Sequence, residues 1–247
     1  DILHQTFDPD TAGAVVVDGG DRDDHGGATS GPDGVLGTAD DVNFEGWLFI
    51  EQMIEFAIRG NLNQAPKDIL VVGASSEALS AVQSAARVQG LTTTVKTGAG
   101  LSGENFNQYK VLYVPSDSNT PGGISPSDLA ILKQRKVDIQ NFINNGGSVV
   151  ALTEESFPEP YGWLELPQTF TIGSVGGTEP LRKTQAAINA GFTISDLDLS
   201  NGTPYHNCFV GPPGFNGLVP FVLDQSNRVI TLGFSSLLFR DSVTLDK

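Results

Sequence analysis

Three stretches of this chain are apolar at almost every position: Ile69-Leu-Val-Val72, Tyr109 to Val114, and Ser148 to Leu152. A strand with one wet face alternates apolar and polar residues. An uninterrupted run needs cover on both faces, which is the mark of a parallel sheet between two helical layers. The intervals carry helical spacing. Phe44 to Arg59 repeats Trp47, Leu48, Ile50, Met53 and Ala57 along one face, with Asn43 as the expected N-cap and Gly60 as the stop. Ser76 to Gln89 does the same through Leu79, Val82, Ala85 and Ala86, and Gly90 closes it. Ser125-Pro126 opens a third helix, expected to run unbroken to Gly146-Gly147.

Other segments are read from shorter signals. Residues 1–13 read as a loose lead-in, Ala14 to Val17 as a first buried strand, and Leu91 to Lys96 as a β-branched strand. A strand is expected near Thr169–Ile172, a helix over Leu181 to Ala190, and mostly loop over 192–218. Leu218 to Leu223 and Arg228 to Gly233, joined by a short polar turn, read as an antiparallel hairpin. The expected fold is α/β and three-layered, with a mostly parallel sheet and an antiparallel C-terminal hairpin. With no internal repeat and no clear linker, residues 1–247 read as one domain.

Charge is unevenly placed. The net charge is −15, which disfavours nucleic acid as a partner because phosphates would be repelled. Residues 1–43 hold ten acids against one base, Arg22. The segment 18–43 has no apolar periodicity and is punctuated by Gly and Asp, the composition of tight turns. It reads as an acidic insertion after the first strand. The single cysteine, Cys208, excludes an intrachain disulfide, and no apolar run reaches the roughly 20 residues of a membrane span.

The order of these elements resembles the class I glutamine amidotransferase-like superfamily, a flavodoxin-like α/β fold. The resemblance is carried by Ile69–Gly73, Thr92–Lys96, Val111–Val114, Gly146-Gly147-Ser148-Val-Val-Ala-Leu152 and the closing run Asn227 to Phe239, and covers roughly residues 66–240. It implies a nucleophilic cysteine in the turn after Leu152 and a histidine after the closing strand. In that register Thr153 stands at the nucleophile position and Ser235 at the histidine position, which removes the amidotransferase chemistry; Cys208 lies in a late loop with His206, off that turn. The resemblance thus implies a non-amidotransferase branch, a pseudoenzyme.

Seven aspartates within the insertion point to a hard cation, since converging carboxylates repel one another unless an ion or solvent separates them. Gly31-Pro-Asp-Gly-Val-Leu-Gly-Thr-Ala-Asp-Asp41 resembles the Asp/Gly-rich calcium loops of bacterial exported proteins. The expected calcium ligands are Asp33, Asp40 and Asp41, then Asp21 and Asp23, then Asp18 and Asp24. The bland alternative is a solvated acidic loop. His25 reads as a turn residue, because calcium prefers oxygen.

Ligands of doubly wound sheets bind outside the carboxyl ends of the strands. There the sequence offers Ser75, Ser76 and Thr153 as ligand-binding residues and Glu154, Glu155, Asp117 and His206 as catalytic candidates. Polar strand ends are common in any α/β protein, and Ser75 or Ser76 also suits a helix cap. The expectation is a non-catalytic, calcium-stabilised binding or structural domain, secreted or on a bacterial surface, with an unknown protein or small-molecule partner. A start at Asp1 without Met fits either removal of a signal peptide or a trimmed chain. The rival expectation is a hydrolase-like enzyme using the catalytic candidates.

Overall fold

A computed structural model describes residues 7–74, 76–116, 124–153, 159–165, 171–177, 180–201, 205–211, 215 and 217–236. The chain opens with strand β1 (Val15–Asp18), then a two-stranded hairpin, β2 (Gly27–Thr29) and β3 (Val42–Phe44), and helix α1 (Glu45–Arg59). It continues through β4 (Lys67–Val72), α2 (Ser76–Val88), β5 (Thr93–Lys96), α3 (Gly98–Ser102) and β6 (Tyr109–Val114). Helices α4 (Pro126–Gln134) and α5 (Lys136–Asn144) lead to β7 (Ser148–Ala151). The last part comprises β8 (Thr171–Gly177), β9 (Leu181–Lys183), α6 (Gln185–Asn189), α7 (Asp196–Ser200), β10 (Tyr205–Val210), β11 (Val219–Asp224) and β12 (Val229–Phe234).

The central sheet runs β5-β4-β6-β7-β1-β12-β10-β8, and its first five strands are parallel. The remaining pairings, including β11 with β12, are antiparallel. This is the expected three-layer α/β architecture. Its two cores follow from the strands' period of two. Val16, Val71, Tyr113 and Val150 point to the side packed by α1 and α2, while Val17, Leu70, Leu112 and Ala151 point to the side packed by α4 and α5.

Several local expectations need correction. Residues 7–12 are not a loose lead-in: Phe7 is buried and its ring lies 5.3 Å from that of Phe234. Asn43 does not cap α1. Its amide instead donates to Glu51 and its carbonyl accepts from Ser84, which ties the β2–β3 hairpin to α1 and α2. The long third helix breaks at Arg135, where ψ reaches 18°. There the guanidinium donates to the carbonyls of Leu101 and Glu104 and stacks 4.1 Å above the Phe106 ring. After that break Val137 points outward.

The expected helix at Leu181 to Ala190 begins instead as β9, which pairs with β11, and turns helical only after Thr184 caps α6. The expected loop over 192–218 contains α7 and β10. Ser125 caps α4 with Pro126 behind it, as expected.

Candidate functional site

The acidic insertion divides into two structures. Asp33, Asp40 and Asp41 lie in the turn that joins β2 to β3, and of these Asp41 keeps one buried oxygen, Oδ1, without a hydrogen-bond partner. Asp40 accepts from the Asp33 backbone and from Thr38, Asp33 accepts from the Val35 backbone, and Asp41 accepts from the Gly37 backbone and faces Arg87 at 3.3 Å. The first half, Asp18 to His25, folds over the carboxyl ends of the parallel strands.

Its position depends on how β1 ends. Along one edge of β12, β1 pairs with Thr231 to Phe234; beyond Asp18 it leaves, and β10 takes over at Val229. The crossover is tight, because the Gly19 carbonyl accepts from the backbones of both His206 and Asn207. A side chain at Gly19 would stand 2.1 Å from the Asn207 carbonyl oxygen. This approach delivers His206, from far along the chain, to the acidic loop.

Asp18 anchors the loop. One of its oxygens accepts from the Thr231 hydroxyl. The other accepts from Arg22 Nε at 2.9 Å and from the Gly20 backbone at 3.0 Å. Arg22 is fully buried, lies over the Phe49 ring at 5.3 Å, and donates to the Leu199 carbonyl. The Tyr161 hydroxyl donates to the Asp18 carbonyl at 2.7 Å, with the Ala151 carbonyl at 3.1 Å. This joins the ends of β1 and β7.

Asp23 reaches across to the end of β6. Its carboxyl accepts from the Ser116 backbone at 3.1 Å and from the Ser116 hydroxyl at 2.8 Å. Burial pushes its pKa up to about 7, against the two Ser116 bonds and with help from the charge of Asp21. Burial likewise raises the Tyr113 hydroxyl, helped by Asp23 and Asp18.

Asp21 is the centre of the exposed part. Its side chain is only 5% accessible, yet His25 Nε2 stands 3.4 Å and His206 Nε2 3.3 Å from its Oδ2. Burial alone would raise Asp21, but hydrogen bonding and charge from His206 and His25 outweigh it and hold the carboxyl well below the usual range. The hydrogen bond to Asp21 raises His25 in turn, against its burial. Asp24 is raised by burial, with Glu77 and Asp21 adding like charge. Donor atoms of Asp21, Asp24 and His25 lie within 4.8 Å of one another, and Asp21 Oδ1 is buried without a hydrogen-bond partner.

The seven expected metal ligands therefore fall into separate groups: Asp21 and Asp24 together, Asp18 and Asp23 in buried bonds of their own, and Asp33, Asp40 and Asp41 in the hairpin turn. His25, expected to be only a turn residue, joins Asp21. Asp117, Glu154, Glu155 and Ser75 lie outside the described residues, and Ser76 is the first residue of α2. Thr153 is buried beyond the carboxyl end of β7. Ser235 follows Phe234, which pairs with Val15 at the start of β1, so it lies at the opposite end of the sheet from Thr153. The two positions carried over from the amidotransferase pattern therefore do not face each other, because β12 runs antiparallel to β1.

Comparison of the chain with protein-family models, with curated proteins and with solved structures finds no match. Sequence reasoning missed Arg22, Tyr161 and Thr231 as organisers of the loop, and missed the link between His206 and Asp21. The Asp-Arg-Asp-Asp-His25 run held the only local signal for that cluster.

Proposed function

We propose that this chain is a non-catalytic binding domain whose Asp18–His25 loop is held against the sheet by a divalent cation. The observation that supports this reading is Asp21, a buried carboxylate with an orphaned oxygen beside Asp24 and His25. A cation there would satisfy that oxygen and offset the repulsion between the two aspartates. Calcium is the ion suggested by the resemblance of Gly31 to Asp41 to the calcium loops of bacterial exported proteins, and that resemblance also supports reading the chain as a secreted or surface-exposed bacterial domain. Around Asp21 the side chains of Asp18, Arg22, Asp23, Ser116 and Tyr161 are bonded to one another or to backbone, which ties the loop to the strand ends. Its fold is offered as that of a pseudoenzyme of the amidotransferase-like superfamily, with its partner a protein or small molecule held at this end of the sheet.

The test is thermal unfolding of the full chain after chelation and after return of calcium, zinc or manganese. An ion at a hundred times its Kd stabilises the folded state by about 2.7 kcal/mol. At about 2–4 °C per kcal/mol for a chain of this size, that is a rise in Tm of roughly 5–11 °C. Identical melting curves with and without every ion would refute the reading.

A further inference from the structure

Resting on the cation reading, we infer that the ion is one that accepts imidazole nitrogen, zinc-like rather than calcium-like, and that His206 of β10 is one of its ligands. The donor set carries the inference. Asp21 and Asp24 supply oxygen, while His25 and His206 present Nε2 atoms to the same Asp21 carboxylate from opposite parts of the chain. Calcium takes oxygen donors almost exclusively, whereas zinc and related ions bind mixed imidazole and carboxylate sets.

The spacing agrees. Bonds of about 2.0–2.1 Å at tetrahedral angles hold neighbouring donor atoms about 3.3–3.4 Å apart. The two histidine nitrogens stand 3.4 and 3.3 Å from Asp21 Oδ2, longer than the about 2.7–2.9 Å of a well-formed charge-assisted hydrogen bond. The independent sign of a ligand is Asp21 Oδ1, buried and without a partner. His25 and His206 are about 30% exposed, so an ion has a route in from solvent. Donor atoms of Asp21, Asp24 and His25 lie within 4.8 Å of one another, and His206 Nε2 stands 3.3 Å from Asp21 Oδ2. Such an ion fastens the N-terminal loop to the antiparallel half of the sheet.

The experiment titrates the chelated full chain with zinc, cobalt and calcium by calorimetry, and records the visible absorption of the cobalt form. The expected result is one zinc or cobalt per chain with the intense absorption of tetrahedral cobalt. Affinity should fall in His206→Ala and in His25→Ala by more than the roughly 10–100-fold typical of groups that only support a ligand. His206→Cys, which keeps a donor atom, should retain most of the binding, and Asp33→Asn should change nothing. Circular dichroism identifies any variant that has lost its fold. Calcium binding with both histidine variants unaffected would overturn this inference and leave the cation reading standing. Failure of every ion to bind would overturn both.

Discussion

Replacing Arg22 by Met tests whether the acidic loop is held by one buried ion pair. Methionine keeps an unbranched stem to lie over Phe49 and removes the charge. Asp18 would then retain the Gly20 backbone and the Thr231 hydroxyl as donors but lose its only cationic partner among the described residues. Both side chains are fully buried, so the stranded carboxylate has no water to turn to. Breaking a buried pair on one side costs about 3–5 kcal/mol. For a chain of this size the expected fall in Tm is roughly 6–20 °C.

The second arm is Asp18→Asn in the Arg22→Met background. It removes the unpaired charge and keeps a carbonyl that accepts from Gly20 and Thr231. The double variant should recover at least half of the lost Tm, because the penalty lies in the isolated charge and not in the pair itself. Differential scanning calorimetry in chelator reads all four proteins of the cycle. A fall below about 2 °C for the single variant, or a double variant no more stable than the single, would refute the reasoning.

Two further outcomes follow from the geometry. Asp23 has a pKa near 7 in the folded chain against an ordinary value of 3.8, so the folded state keeps a proton that the unfolded state has released. Its contribution is therefore present below about pH 4 and is lost as pH rises through 7, by about 4 kcal/mol in all. In chelated protein, Asp23→Asn should gain Tm relative to the parent between pH 4 and 8; parallel curves would sink this account. Gly147→Ala would place a methyl carbon 2.1 Å from the Phe142 ring. It should cost about 1–3 kcal/mol by overpacking and be partly relieved by Phe142→Leu, an expectation that an unchanged urea midpoint would reject.

The parallel half of the fold was legible because burial on both faces leaves unbroken apolar runs, as in Tyr109 to Val114. In the antiparallel half the β11–β12 hairpin was legible, and β8, β9 and β10 were less so. In β10, Tyr205-His-Asn-Cys-Phe-Val210 carries polar side chains at its start because that end meets the acidic loop, so it reads as a loop. Leu181 to Ala190 is rich in helix formers, but pairing with β11 outweighs propensity over its first three residues. Of the site, the acids were legible and their division was not. Asp33 and Asp21 have similar Gly/Asp surroundings in sequence, and only the hairpin pairing and the departure of β1 at Gly19 send them to different places. His206 gave no local sign of its role, since its proximity to Asp21 is made by strand order alone.

The place of β1 in the sheet also governs assembly. It lies between β7 and β12, strands that are synthesised more than a hundred residues after it. The β4-to-β7 unit is built from local crossovers, whereas closing the middle of the sheet requires contacts of long sequence separation, which form slowly. Until β1 inserts, β7 and β12 each present an unpaired edge, and the matching strand of a second chain fits that gap as well as the chain's own. The same central seat that gives β1 its support thus makes the growing protein open to strand exchange between copies.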